Sequence, residues 1–268
     1  MTTDVDGLRA ASQRVRLRDL QMVSSAGMGH IGGEFSVTDI LVTLYLGVMA
    51  LDGPEPDRLV LSKGHAAAAL YAVLAEAGLL SEDDLTTFVQ ADSALNGHPA
   101  RTKVEAVEAS TGPLGHGLPI AVGMAMAARL DGSSRRVFVV TGDGEMQEGS
   151  NWEALMIAAH HGLDRLVLII DRNGLQQGAA VADTSDLEPL DDKLRAFGWA
   201  VAEVDGHDVE QLQDILSAIP LVPGRPTAVI ARTHKGHPVS FMSDDAGWHH
   251  RVPTPEQVDA ARAEVLAT

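Results

Sequence analysis

Arg136-Val137-Phe138-Val139-Val140-Thr141 runs straight into Gly142-Asp143-Gly144-Glu145-Met146-Gln147-Glu148-Gly149, and the pattern returns as Leu166-Val167-Leu168-Ile169-Ile170-Asp171 followed by Arg172-Asn173-Gly174-Leu175. Both runs are mostly apolar, and each stops at a glycine-containing turn. The stretch between them, 150–160, reads as a helix. Apolar runs separated by a helix mark parallel strands buried on both faces. A βαβ unit of this length sets consecutive strand ends side by side.

The alternation continues in both directions. Downstream come a helix over 190–197, a strand over 199–204, a helix over 208–219, a strand over 227–231 and a final helix opened by Pro255. Upstream, helices are predicted over 5–25, 37–49 (capped by Ser36), 66–77 and 120–130, with a short strand over 58–61. Ser81 with Asp84 marks one more helix start. The stretch 26–33 reads as a glycine-rich break, and 91–111 as an irregular polar segment carrying Gly97-His98-Pro99. This pattern specifies an α/β fold, a doubly wound, mostly parallel sheet with helices on both faces, with 1–268 as a single domain. Ligands in such sheets bind at the carboxyl ends of strands. The unusual glycine and histidine clusters fall just after a strand or just before a helix, so they are expected to converge on one site.

Composition narrows the partners. The chain has 20 Lys+Arg against 37 Asp+Glu, a formal charge of −17. That argues against nucleic acid, whose phosphates need a basic surface, and against an anionic membrane. With no cysteine there is no disulfide framework, thiolate metal site or thiol nucleophile. The N-terminus lacks an apolar signal core, and no stretch of about 18 apolar residues is read as spanning a bilayer, so a cytoplasmic protein is expected. Aromatic residues make up only 4%, so the core must be mainly Ala, Val, Leu and Ile.

Asp143 and Asn173 stand 30 residues apart at the ends of the two successive strands. Two oxygen ligands at neighbouring carboxyl edges suit a hard cation such as Mg²⁺ or Ca²⁺, which also takes a backbone carbonyl from the turn and oxygens from a bound phosphate. Gly142 and Gly144 let backbone N–H groups approach that phosphate, and the following helix N-terminus adds favourable partial charge. Either half alone reads as an ordinary turn, Gly-Asp-Gly or Asn before Gly174. The pair at this spacing carries the functional reading.

Gly142-Asp143-Gly144 followed by Asn173 resembles the thiamine diphosphate (thiamine pyrophosphate) fingerprint, and the surrounding words narrow the resemblance to transketolase. These words are Ser62-Lys63-Gly64-His65-Ala66, Gly97-His98-Pro99, Thr111-Gly112-Pro113-Leu114-Gly115, Gly142 through Gly149, Asn151-Trp152-Glu153-Ala154 and Trp248-His249. They occur in transketolase order over nearly the whole chain, and correspond to the N-terminal, diphosphate-binding half of the family. The resemblance implies the N-terminal subunit of a split transketolase, moving a two-carbon ketol unit from a ketose donor to an aldehyde acceptor. It implies a C-terminal partner subunit carrying the pyrimidine-binding half and the activating glutamate, an α₂β₂ assembly, and negligible activity for this chain alone.

The resemblance also implies roles. Asp143, Asn173 and the backbone oxygen of Leu175 would ligate the metal; Gly144 would donate to the diphosphate, with Gly142 and Glu145 in the same fingerprint. His65 and His249 would reach phosphate oxygens and the thiazolium C2 region. His30 would assist proton transfer on the donor hydroxyl, and His98 would contact substrate hydroxyls. Leu114 would pack under the cofactor, Gly112 would offer its carbonyl, and Glu148 and Glu153 would stand at a dimer interface. Proton transfers near neutral pH suit imidazoles.

His160, His161, His207 and His250 read as surface or satisfied residues, and Met124 and Met126 as helix packing. His234 and His237 stay open, with Lys235-Gly236 between them resembling a mobile substrate-side loop. Three departures stand out: His116 in place of glutamine, Gln177 where an apolar residue often covers the thiazolium, and Gly27-Met28-Gly29-His30-Ile31-Gly32-Gly33 in place of Ser-Gly-His-Pro-Gly. An alternative reading passes the two-carbon unit to a lipoyl or acyl-carrier group, or decarboxylates a 2-oxo acid. A third is a non-catalytic subunit, against which the intact Asp143, Asn173, His65 and His249 set argues.

Overall fold

A computed structural model describes residues 3–268. Its strands are β1 (Arg58–Leu61), β2 (Val137–Gly142), β3 (Leu166–Arg172), β4 (Leu175–Gln176), β5 (Ala179–Ala180), β6 (Ala200–Asp205) and β7 (Thr227–Arg232). Five of them form one all-parallel sheet in the order β1-β2-β3-β7-β6. β4 and β5 pair as a small antiparallel hairpin that the sequence reading did not foresee. The helices are α1 (Val5–Ala26), α2 (Ile31–Val42), α3 (Ala67–Glu76), α4 (Glu82–Leu85), α5 (Gly117–Leu130), α6 (Gly149–His160), α7 (Val181–Ser185), α8 (Leu190–Ala196), α9 (Val209–Ser217) and α10 (Pro255–Leu266).

Successive strand residues point to opposite faces, and both faces are buried. Leu59, Leu61, Phe138, Val140, Val167, Ile169 and Val229 pack in one layer with residues of α1, α2, α3, α9 and α10. Val60, Val137, Val139, Leu166, Leu168, Ile170 and Ile230 pack in the other with α5, α6 and α8. This is why RVFVVT and LVLIID carry no polar alternation: each side of the sheet has its own core.

Two expectations need correction. Helix α2 begins at Ile31, not at 37, so the second half of the supposed glycine break is its first turn. Glycine is needed at Gly32 for contact: a Cβ there would lie 2.8 Å from the Trp248 carbonyl oxygen. The N-cap is His30, not Ser36, and Glu34 Oε2 reaches back from inside the helix to accept from the His30 N–H at 3.1 Å. The second correction concerns length and apolarity. Ile31–Val48, α2 with its π-helical extension, is long and apolar enough to cross a membrane. It is 89% buried, as a core helix of this fold.

Candidate active site

The site lies at the carboxyl ends of β1, β2, β3 and β7. Gly142 pairs with Asp171 in register, so Asp143 and Asn173 emerge from adjoining edges. Asp143 is 4% exposed. Its Oδ1 accepts from the Gly144 N–H at 2.9 Å, and its Oδ2 crosses to the end of β3 to accept from the Gly174 N–H at 2.7 Å. The Asn173 Oδ1 accepts from the Leu175 N–H at 3.0 Å, and its amide donates to Ser36 Oγ at 3.3 Å. Burial, reinforced by nearby Asp171, pushes the Asp143 carboxyl up to about 6 against the two backbone donors. A buried carboxylate held this way is better satisfied with a cation beside it.

These residues line one cavity of about 350 Å³, together with His30, Lys63, His65, Gly112, Leu114, Gly142, Gly144, Glu145, Leu175, Lys235, His249 and His250. That size suits a small-molecule ligand. Around Gly142 no atom would meet an added Cβ within 4 Å, so the turn leaves open space toward the cavity. A Cβ on Gly144 would lie 2.8 Å from Gln176 Oε1 and 2.9 Å from Gln176 Cβ, so glycine is required there. Glu145 is mainly a strut: its Oε1 accepts from Ser62 Oγ at 2.5 Å and from the Gly115 N–H at 3.0 Å, while Oε2 accepts from the Gly142 N–H at 3.1 Å. It ties the ends of β1 and β2 to the loop that leads into α5.

Histidines gather at the other end. The His30 ring lies 5.3 Å from His65, 5.5 Å from His249, 4.8 Å from His250 and 6.2 Å from His98. His65 and His249 are 5.2 Å apart. Of the four histidines expected to act, His30, His65 and His249 line the cavity, and His98 stands behind His30. His250, read as a surface or satisfied residue, is exposed, and it also lines the cavity. Burial lowers all the expected set: His30 to about 4, with His250 and His98 adding, His249 to about 3, with Lys235 adding, His65 well below the usual range, and His98 modestly. They are therefore neutral donor–acceptor groups.

The positive charge comes from two residues that sequence reasoning missed. Lys63, 2% exposed, donates to Asp171 Oδ2 at 2.5 Å and to the Gly33 carbonyl at 2.9 Å. Lys235, also 2% exposed, places Nζ 3.1 Å from His249 Nδ1. Its burial, with Lys63 nearby, lowers it to about 8, while Asp171 and Asp143 resist. Lys235-Gly236 is thus packed, not a free loop: a Cβ on Gly236 would meet Met242 atoms at 2.6 Å. The signal was available, since both lysines follow a strand end beside a glycine and a histidine. Because an ammonium only donates, His249 Nδ1 accepts and its proton lies on Nε2.

Glu148 lines the cavity, whereas Glu153 faces a groove with His116, Ile120 and Ile157. Asp39, His207 and His237 offer ligand atoms within 4.8 Å of one another. That cluster is occupied by hydrogen bonds: Asp39 is paired with Arg16 and His207. Asp143 and Asn173 also have their oxygens hydrogen-bonded, but only to backbone N–H groups, and both residues line the ligand cavity.

Residues 8–265 match the family described as transketolase, thiamine diphosphate binding domain. The chain is 44% identical over 262 residues to an apulose-4-phosphate transketolase subunit of Actinobacillus succinogenes, covering 96% of this chain and 94% of that protein. It is 36% identical over 256 residues to the 6-deoxy-6-sulfo-D-fructose transketolase subunit SqwG of Clostridium sp., covering 94% and 93%. Human transketolase is 38% identical over 260 residues, which cover 95% of this chain and 41% of that protein. The transketolase structure from Campylobacter jejuni superposes with a TM-score of 0.91 at 29% identity, covering 98% of this chain and 43% of that chain. The chain thus spans less than half the length of those two larger transketolases.

Proposed function

Because the chain belongs to the transketolase family through its thiamine diphosphate binding domain, we propose that it is the N-terminal subunit of a two-component transketolase. It would act in the cytoplasm with a C-terminal subunit, as an α₂β₂ assembly, to transfer a two-carbon ketol unit. The carrying observation is the single cavity in which the Asp143–Asn173 edge meets neutral His30, His65 and His249. The relatives whose names describe them as transketolase subunits match along nearly their full length, which supports the two-component reading. Their names make a phosphorylated or sulfonated ketose the donor class to test first.

Asp143, the Asn173 amide oxygen and the Leu175 carbonyl would hold Mg²⁺, and the N–H groups around Gly144 would face the diphosphate. The chemistry such a cofactor would supply is stabilisation of a carbanion at the former carbonyl carbon. The chain's own part is binding and proton handling. Lys63 and Lys235 place positive charge against an anionic ligand in a low-dielectric pocket. His249 presents Nε2–H into the cavity as a donor, and His30 and His65 offer neutral nitrogens for hydroxyl protons. Leu114 gives the mouth an apolar wall.

The test is reconstitution. The chain is mixed with its candidate C-terminal subunit, thiamine diphosphate and Mg²⁺, and ketol transfer from a ketose phosphate to an aldose acceptor is followed. Activity only in the mixture is expected. Full activity of the isolated chain, or none in a mixture that forms a complex and binds cofactor, would refute the proposal.

A further inference from the structure

A buried network outside the cavity runs toward His249. It starts with Arg16 on α1 and Asp39 on α2, both 4% exposed. Arg16 donates to Asp39 Oδ1 at 3.0 Å and to Oδ2 at 2.5 Å, and to the Phe35 carbonyl at 3.2 Å. The same Oδ2 lies 2.8 Å from His207 Nδ1, in the turn after β6. On the far side of that ring, His207 Nε2 lies 2.9 Å from the backbone nitrogen of His234. A backbone N–H can only donate, so Nε2 must be unprotonated. The proton therefore sits on Nδ1 and is given to Asp39, which leaves His207 neutral in one tautomer.

The segment anchored this way carries Lys235. Its backbone is pinned on one side by the His207–His234 bond and on the other by the Gly236 N–H, which donates to the Gly32 carbonyl at 2.8 Å. The His237 ring stacks on His207 at 3.8 Å. Gly206 admits the close approach, since a Cβ there would lie 2.4 Å from Thr233 Cγ2. Lys235 then spans from this anchored backbone to His249 Nδ1.

We infer that His207 is a positioning residue, through which the buried Arg16–Asp39 pair fixes the loop that carries Lys235 and so sets the tautomer of His249. Its catalytic meaning rests on the ketol-transfer reading, but the tautomers do not. The carboxylate orients one imidazole, and that imidazole orients a backbone segment, as supporting groups orient a reactive side chain elsewhere. A change at His207, which does not line the cavity, acts on His249 through Lys235.

The experiment uses long-range proton–nitrogen correlation on the full chain labelled with ¹⁵N-histidine, at pH 6.5, where Lys235 is an ammonium, and without cofactor. The wild-type chain is expected to show the His207 proton on Nδ1 and the His249 proton on Nε2. His207→Phe keeps a stacking ring but loses both hydrogen bonds, and should turn His249 into a mixture of tautomers. His207→Gln can donate to Asp39 and accept from His234, and should restore the single form. A His207 proton on Nε2 in the wild type, or His249 nitrogens unmoved in His207→Phe, would overturn the inference. If the first variant does not fold, the wild-type spectrum still decides. In the reconstituted enzyme His207→Phe should lower kcat about tenfold, the scale of one hydrogen bond, with KM within about twofold. A loss confined to KM also overturns it.

Discussion

Replacing Lys63 with methionine removes the only cation hydrogen-bonded to Asp171 among the described residues. Asp171 is 0% exposed and would keep the hydroxyl donors Ser36, at 2.7 Å, and Thr233. Methionine fills similar volume, so packing changes little and the effect is electrostatic. Stranding one member of a buried ion pair costs about 3–5 kcal/mol. For a chain of this size each kcal/mol moves the midpoint by roughly 2–4 °C, so Tm should fall by roughly 6–20 °C. The decisive measurement is a double-mutant cycle with Asp171→Asn. Asparagine can accept from one of Ser36 and Thr233 and donate to the other hydroxyl, and no unpaired charge is left, so the double variant should be much less destabilised than the two singles summed. Thermal unfolding followed by circular dichroism at pH 7.5 gives all four corners. Additive losses, or a Lys63→Met loss under about 1 kcal/mol, would show that the pair is not the electrostatic unit described.

Four further outcomes follow from the same geometry. Asp143→Asn should weaken Mg²⁺-dependent retention of thiamine diphosphate by more than the roughly 10–100-fold lost with a mere supporting group, measured by calorimetry on the reconstituted complex. Burial raises the Glu34 carboxyl to about 8, above its ordinary 4.5, against the His30 and Ala68 N–H groups. Its contribution is therefore fully present below pH 4.5 and is lost as pH rises through about 8; Glu34→Gln should flatten that decline in urea-unfolding midpoints between pH 5 and 8.5. A lysine Nζ resonance titrating near pH 8 should be visible in labelled chain and absent from Lys235→Met. Gly32→Ala should cost about 1–3 kcal/mol, since its methyl meets the Trp248 carbonyl; an unchanged melting profile and unchanged tryptophan emission would contradict that packing.

The strands and the Asp143–Asn173 meeting point were legible because they depend on local information. Val137 to Val140 and Leu166 to Ile170 are apolar without interruption, and a crossover of fixed length makes their ends neighbours. Helix α2 was misread at its start because glycine lowers helix propensity, and nothing nearby in sequence announces that Gly32 faces Trp248. The charged members of the site escaped for a similar reason. Lys63 finds Asp171 across 108 residues, and Asp39 finds His207 across 168. A lysine or histidine in a polar turn looks solvated until the fold supplies the partner that lets it be buried. His250 differs again: only the fold brings it beside the His30 ring and so into the cavity lining.

The two cavity ammonium groups sit inside a chain whose formal charge is −17. An approaching polyanion is repelled at long range and attracted only near the end of its path. Dissolved ions thin the outer barrier over a Debye length of about 8 Å at physiological strength and reach the sheltered lysines far less. Moderate salt should therefore speed ligand capture, the reverse of the usual behaviour when a phosphate meets a basic surface.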